Sequence, residues 1–134
     1  MHKTFLLLSW TTTLLVAWLI AACGANHIPN GQLQSVTISP ASASGQAEFT
    51  ATGFYSDGSK VKPLPALWSD NNPWVGNNIL PKINVGANGR ISCGSAPAGP
   101  YTIEATAPVD PHVPVSQLGP NTPQVHGTAQ LTCP

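Results

Sequence analysis

Proline and glycine are spread along this chain so densely that long helices cannot fit between them. The 134 residues include 14 Pro and 12 Gly, about a fifth of the total. Proline lacks the backbone N–H that a helix needs, and glycine loses the most conformational entropy when it is ordered. After residue 32, no window shows sustained helical spacing of apolar residues. The chain therefore favours short strands joined by turns.

Short runs of alternating apolar and polar residues support this interpretation, because alternation is typical of a strand with one buried face. Asp57-Gly58 and Asn88-Gly89 are strong turn signals between the runs. The runs are Val36 and Ile38, Phe49 and Ala51, Leu64 to Ser69, Ile83 and Val85, Arg90 to Ser92, Tyr101 to Ala105, and Val125 to Cys133. They predict one all-β domain of about seven strands at residues 33–134, the size of a β-sandwich.

The first residues have the parts of a secretory signal. His2 and Lys3 form a basic start, and an uncharged apolar run extends from Phe5 to Ala22. Such a run is almost long enough to span a bilayer, so an uncleaved anchor and simple secretion are the alternatives. Polar residues at Ser9 and at positions 11–13 interrupt the run, which favours a cleaved signal.

The run ends in Leu19-Ile20-Ala21-Ala22-Cys23, which resembles the lipobox of bacterial lipoproteins. The resemblance implies a signal peptide at 1–22, cleavage before Cys23, a diacylglycerol thioether on its sulfur and acylation, such as palmitate, of its new amine. Residues 23–32 would then be the lipidated cysteine and a tether to the membrane. Gly24 stands where many inner-membrane lipoproteins carry aspartate, which favours an outer-membrane or surface location facing outward.

Several segments resemble the bacterial group 2 immunoglobulin-like domain. They are Phe49 to Ser59 (FTATGFYSDGS), Trp68-Ser69, Asn88 to Ile91, Tyr101 to Thr106, and Gly127 to Leu131. The resemblance implies an immunoglobulin-like β-sandwich with Greek-key topology. It makes Trp68 the core tryptophan between the sheets, with ligand stacking as the alternative. The alternation itself places Phe49 and Ile103 in the core.

Cys93 and Cys133 remain once Cys23 carries lipid. An exported chain meets an oxidising compartment, so the two remaining cysteines are expected to form a disulfide bond. If the last two strands pair antiparallel, Cys133 lies near Pro100, and the turn over 94–99 can bring Cys93 alongside it. Two free thiols are the alternative.

Charge and ligand spacing argue against several classes of function. Only 7% of residues are charged and the net charge is zero, whereas nucleic-acid binding needs clustered Lys and Arg. His112 and His126 show no zinc-like spacing to either late cysteine. Asp110 and His112 lie close together, but no nucleophile accompanies them. We expect no nucleic-acid binding, no metal, no cofactor and no enzyme activity.

The segment from Pro108 to Pro123 holds five prolines and links the last two strands. Proline stiffens such a loop toward extended conformations. It is either a surface insertion without a role or a recognition loop, since loops at sandwich ends often bind ligands. In the second case Asp110 and His112 are the candidate binding residues.

Together these features predict a lipid-anchored cell-envelope protein with a non-catalytic, structural or adhesion-type interaction module. Its expected partners are the membrane, through the anchor, and a protein or glycan ligand. An accessory subunit of an envelope protein complex is the main alternative. A small enzyme or metal carrier is a third class, which the scattered acids and histidines disfavour.

Overall fold

The computed structural model describes residues 28–70, 83–96 and 98–134. The predicted signal peptide and Cys23 lie outside these residues. The described strands are β1 (Leu33–Ser39), β2 (Ser42–Ser44), β3 (Gln46–Glu48), β4 (Thr50–Tyr55), β5 (Lys60–Val61), β6 (Leu67–Asp70), β7 (Asn84–Val85), β8 (Arg90–Ser92), β9 (Gly99–Pro108) and β10 (Gln124–Cys133), with one short 3₁₀ helix at Val115–Gln117.

The strands form three sheets that make up an all-β sandwich, as predicted. One sheet has the order β2-β10-β9-β6, and the two others have the orders β1-β4-β5 and β3-β8-β7. Only Phe49 separates β3 from β4, so the two three-stranded sheets follow one another in one layer. Strand β1 packs against β9 and β10 of the four-stranded sheet, which closes the core between the layers.

The N-terminal strand changes sheets at Pro40. Before it, β1 pairs antiparallel with β4; after it, β2 pairs parallel with β10. Proline cannot donate to a sheet ladder, so it ends the first pairing. The described chain has ten strands where the alternation predicts about seven, because short segments with little alternation, β2, β3 and β5, also pair with their neighbours.

The longest pairing joins β9 and β10. It is antiparallel and runs from Gly99 opposite Cys133 to Pro108 opposite Gln124. The predicted pairing of the last two strands is therefore correct. Cys133 is opposite Gly99, one residue from Pro100, near which it was expected. The inward side chains of this hairpin are almost fully buried: Ile103, Ala105, Ala129 and Leu131.

Phe49 and Ile103 lie in the centre of the core, with 1% and 0% of their surface exposed. Trp68 is only partly buried and packs against the margin of this core. Among the described strands, its strand β6 is the outer one of the four-stranded sheet. The end of the Trp68 ring lies next to Gly89 of the other layer. Trp68 therefore packs between the layers as predicted, but is only partly covered.

The turn at Asn88-Gly89 connects β7 to β8 and also contacts Phe49. The amide of Phe49 donates a hydrogen bond of 2.8 Å to the carbonyl of Gly89. Gly89 has a φ of +74°, and a Cβ there would lie 2.1 Å from the Phe49 carbonyl oxygen. Only glycine fits this close approach. This hydrogen bond to Gly89 takes the place of a strand-pairing bond at Phe49. It explains why Phe49 lies between β3 and β4 and belongs to neither strand.

Phe49→Ala should lower the free energy of unfolding by about 3–5 kcal/mol, as large-to-small changes at buried aromatics do. Phe54→Ala is the matched control, because that ring lies on the neighbouring strand and is 37% exposed. Urea denaturation of both variants measures the difference. Equal losses for the two phenylalanines would contradict the assigned core.

Candidate functional site

Three segments meet at one end of the sandwich, which we call the tether end. They are residues 28–33, the turn over 55–60 and the loop over 109–123. The amide of Leu33 donates to the carbonyl of Val109 at 2.8 Å, and the amide of Ser56 donates to the carbonyl of Gln32 at 2.9 Å. The opposite end, which we call the disulfide end, carries Cys93 and Cys133.

Asp57 clamps the N-terminal segment onto the tether end. Its Oδ2 accepts hydrogen bonds from the amides of Asn30 and Gly31 at 3.0 and 3.1 Å. Ser56 Oγ accepts another from the amide of Gln32 at 2.9 Å. The last part of the predicted tether is therefore held by the domain, and we call this set of bonds the Asp57 clamp. Only residues 24–27 then separate Cys23 from the described chain.

The pKa of Asp57 is lowered to about 2. The hydroxyl and then the amide of Ser59 make the largest contributions, and the amides of Asn30 and Gly31 add smaller ones. All of these donors stabilise the ionised carboxylate. The same residues predict a turn in the sequence, but the bonds to Asn30 and Gly31 span 27 and 26 residues and depend on the tertiary structure.

The proline-rich loop is held in a defined conformation by its own hydrogen bonds. The amide of Val109 donates to the carbonyl of Pro123 at 2.9 Å and closes the base of the loop. The amide of Gly119 donates to Thr122 Oγ1 at 3.2 Å near the far side. The 3₁₀ helix at Val115–Gln117 lies between them. The loop is therefore a structured surface rather than a loose link.

The candidate binding residues Asp110 and His112 do lie together in this loop. Asp110 Oδ1 accepts from the His112 amide at 2.9 Å and lies 3.0 Å from His112 Nδ1. The hydrogen bond from the His112 backbone amide is the largest cause of the lowered pKa of Asp110. Both side chains are more than half exposed. The carboxylate thus stabilises the turn, while the outer edge of the imidazole faces solvent.

A second polar cluster, which alternation alone did not reveal, lies on the outer face of the four-stranded sheet. His126 Nδ1 lies 2.7 Å from Glu104 Oε1 and 3.0 Å from Thr106 Oγ1. Thr106 Oγ1 also donates to Glu104 Oε1 at 3.2 Å. His126 is opposite Thr106 in the β9–β10 register. The predicted antiparallel pairing of the last two strands, carried along to His126, could have predicted its contact with Thr106.

This cluster has the residue types of a catalytic triad but a different geometry. In a nucleophile–base–acid relay, the hydroxyl and the carboxylate bind opposite ring nitrogens. Here both oxygens contact the same atom, His126 Nδ1. The arrangement suits a cross-strand hydrogen-bond network. Among the described residues, no group of three or more His, Cys, Asp or Glu side chains could hold a metal.

Cys93 and Cys133 form a disulfide bond, with their Cα atoms 5.6 Å apart, within the usual range for such bonds. The neighbouring backbone supports the position, since the amide of Gly45 donates to the carbonyl of Thr132 at 2.9 Å. The bond joins the segment after β8 to the last residue of β10. It therefore ties the C-terminus to both layers at the disulfide end.

An open groove of about 660 Å³ runs beside Trp68, with Phe49, Leu64 and Lys62 among its lining residues. The lining is mainly apolar and also includes one cation, Lys62, and one carboxylate, Glu48. Ligand stacking on Trp68 stays the alternative to a core role.

No protein-family model and no curated protein matches this chain. Within residues 28–70, 83–96 and 98–134, no helix is long and apolar enough to cross a membrane.

The Asp57 clamp should weaken in acid. The folded pKa of about 2 lies below the ordinary value of 3.8, so its stabilising effect is complete above about pH 4 and is lost as the pH falls through 2. We expect the Asp57 carboxyl NMR signal to titrate near pH 2. Asp57→Asn should reduce hydrogen-exchange protection at Asn30 and Gly31, whereas Asp70→Asn should not. A midpoint at 3.8 would rule out the clamp.

The disulfide should stabilise the domain substantially. Its partners are 40 residues apart, and closing such a loop contributes about 4 kcal/mol in the chain-entropy estimate. Reductant should therefore lower the melting temperature. Thiol titration of the denatured, unreduced protein should find Cys93 and Cys133 unreactive, and two reactive thiols from this pair would disprove the bond.

Proposed function

We propose that this chain is a bacterial lipoprotein of the cell envelope. It would carry one immunoglobulin-like domain that serves as a non-catalytic structural or interaction module. The observation that carries the proposal is the Leu19-to-Cys23 motif at the end of a signal-like segment. The Cys93–Cys133 disulfide supports it independently, because such bonds persist in exported proteins and are rare in the cytosol.

The outer face of the four-stranded sheet supports an interaction role. Its exposed side chains are mainly uncharged donors and acceptors, such as Thr128, Gln130 and Thr132. Gln130 Nε2 donates to Thr102 Oγ1 at 3.1 Å across β9 and β10, which holds part of this face in place. A sheet face with exposed hydrogen-bonding groups suits a protein or glycan ligand.

Cys23→Ser should prevent lipid attachment and leave an unprocessed precursor, because the thioether needs the cysteine sulfur. The wild-type protein should partition into detergent and have an intact mass that includes the lipid. The double variant Cys93→Ser/Cys133→Ser is the control, since it removes two cysteines and keeps the motif. An unmodified Cys23 in membrane-extracted wild-type protein would overturn the proposal.

Chemical crosslinking in intact cells, followed by purification through the full-length protein, tests the kind of interaction. Binding to varied surface proteins or glycans would support the adhesion-type module. One partner recovered in constant stoichiometry would instead indicate an accessory subunit of an envelope complex.

A further inference from the structure

We propose that the tether end of the domain lies against a phospholipid surface and that the disulfide end points away from it. This inference rests on the proposed lipidation of Cys23. It places the proline-rich loop at the membrane rather than at the outer tip of the molecule.

The first argument is the length of the link. Five residue steps separate Cys23 from Ile28, and an extended chain covers at most about 18 Å over that distance. The Asp57 clamp holds Asn30 and Gly31 on the domain and so prevents the next residues from lengthening the link. An acylated Cys23 lies at the membrane interface. The tether end must therefore remain within a short distance of the lipid headgroups.

The second argument is the apolar surface at this end. Ile28 is 54% exposed and borders a shallow groove of about 400 Å³ beside Tyr55. Four prolines and Val61 complete the lining: Pro29, Pro63, Pro65 and Pro111. Apolar side chains gain free energy when they enter the headgroup and acyl boundary. A lipid surface held nearby would cover this groove.

The third observation is the charge balance. Lys60 and Lys62 are exposed next to Val61, with Lys60 Nζ 5.4 Å from the centroid of the Phe54 ring and Lys62 beside the Trp68 groove. The exposed carboxylates of Asp57 and Asp110 have lowered pKa values and stay ionised. These two cations and two anions balance, so the tether end carries no excess negative charge that would repel lipid headgroups.

The β9–β10 pairing sets the distance between the two ends. It spans ten residues of each strand, or about 33 Å at the usual rise per residue. The loop over 109–123 continues from one end of this hairpin, and Cys133 lies at the other. If the tether end is at the membrane, the disulfide end and the sheet faces are the surfaces available to external ligands.

The test uses the full-length, lipid-modified, isotope-labelled protein in nanodiscs that contain a gadolinium-chelating headgroup lipid. Backbone amide relaxation would be measured at Val61 and Val113 and compared with Gly45 and Cys133. Because the ends are about 33 Å apart, we expect at least roughly tenfold stronger relaxation at the tether end. Equal relaxation at both ends of an anchored protein would overturn the orientation and leave the lipoprotein proposal intact.

Protein that lacks lipid and does not bind the discs would overturn both this inference and the proposed function.

Discussion

The antiparallel pairing of β9 with β10 fixes the positions of the strands on either side of it. Its inward face supplies Ile103 and Leu131, which have no exposed surface. Its two edges receive β6 and β2, so it also determines where Trp68 and the N-terminal strand can lie. A shift of one residue in the pairing register would turn the buried side chains of a strand toward solvent. The buried side chains of β9 and β10 and the disulfide at the end of this hairpin therefore stabilise the same register.

The same hairpin separates two ends with different chemistry. At one end the chain is closed by a covalent bond between Cys93 and Cys133. At the other, hydrogen bonds from Asp57 and Ser56 hold the incoming chain, and prolines stiffen the loop over 109–123. The covalent bond can resist fraying of the C-terminus, while the hydrogen bonds shorten the link to Cys23. If Cys23 carries lipid as proposed, this short link keeps the tether end close to the lipid surface.

With few charges available, this domain organises its surface through hydrogen bonds between polar side chains and backbone. Asp57 and Asp110 both accept backbone amides, and Glu104 binds Thr106 and His126 on the sheet. Each carboxylate thus stabilises a turn or a cross-strand contact. That use of the acids agrees with an interaction module, in which a fixed arrangement of polar groups matters more than reactivity.

Short stretches of sequence predicted the all-β class, the turn at Asn88-Gly89 and the burial of Phe49 and Ile103, and the cysteine count favoured a bond between Cys93 and Cys133 over two free thiols. These follow from alternation, from glycine's access to positive φ and from cysteine count, all of which are properties of short segments or of composition. The positions of Trp68 on an outer strand, of His126 next to Glu104 and of Asp57 next to Asn30 became visible only in the folded chain. These contacts depend on which strands are neighbours and on their register, and on side chains more than 20 residues apart. Alternation within one strand shows which of its side chains are buried, but not which distant side chains they meet.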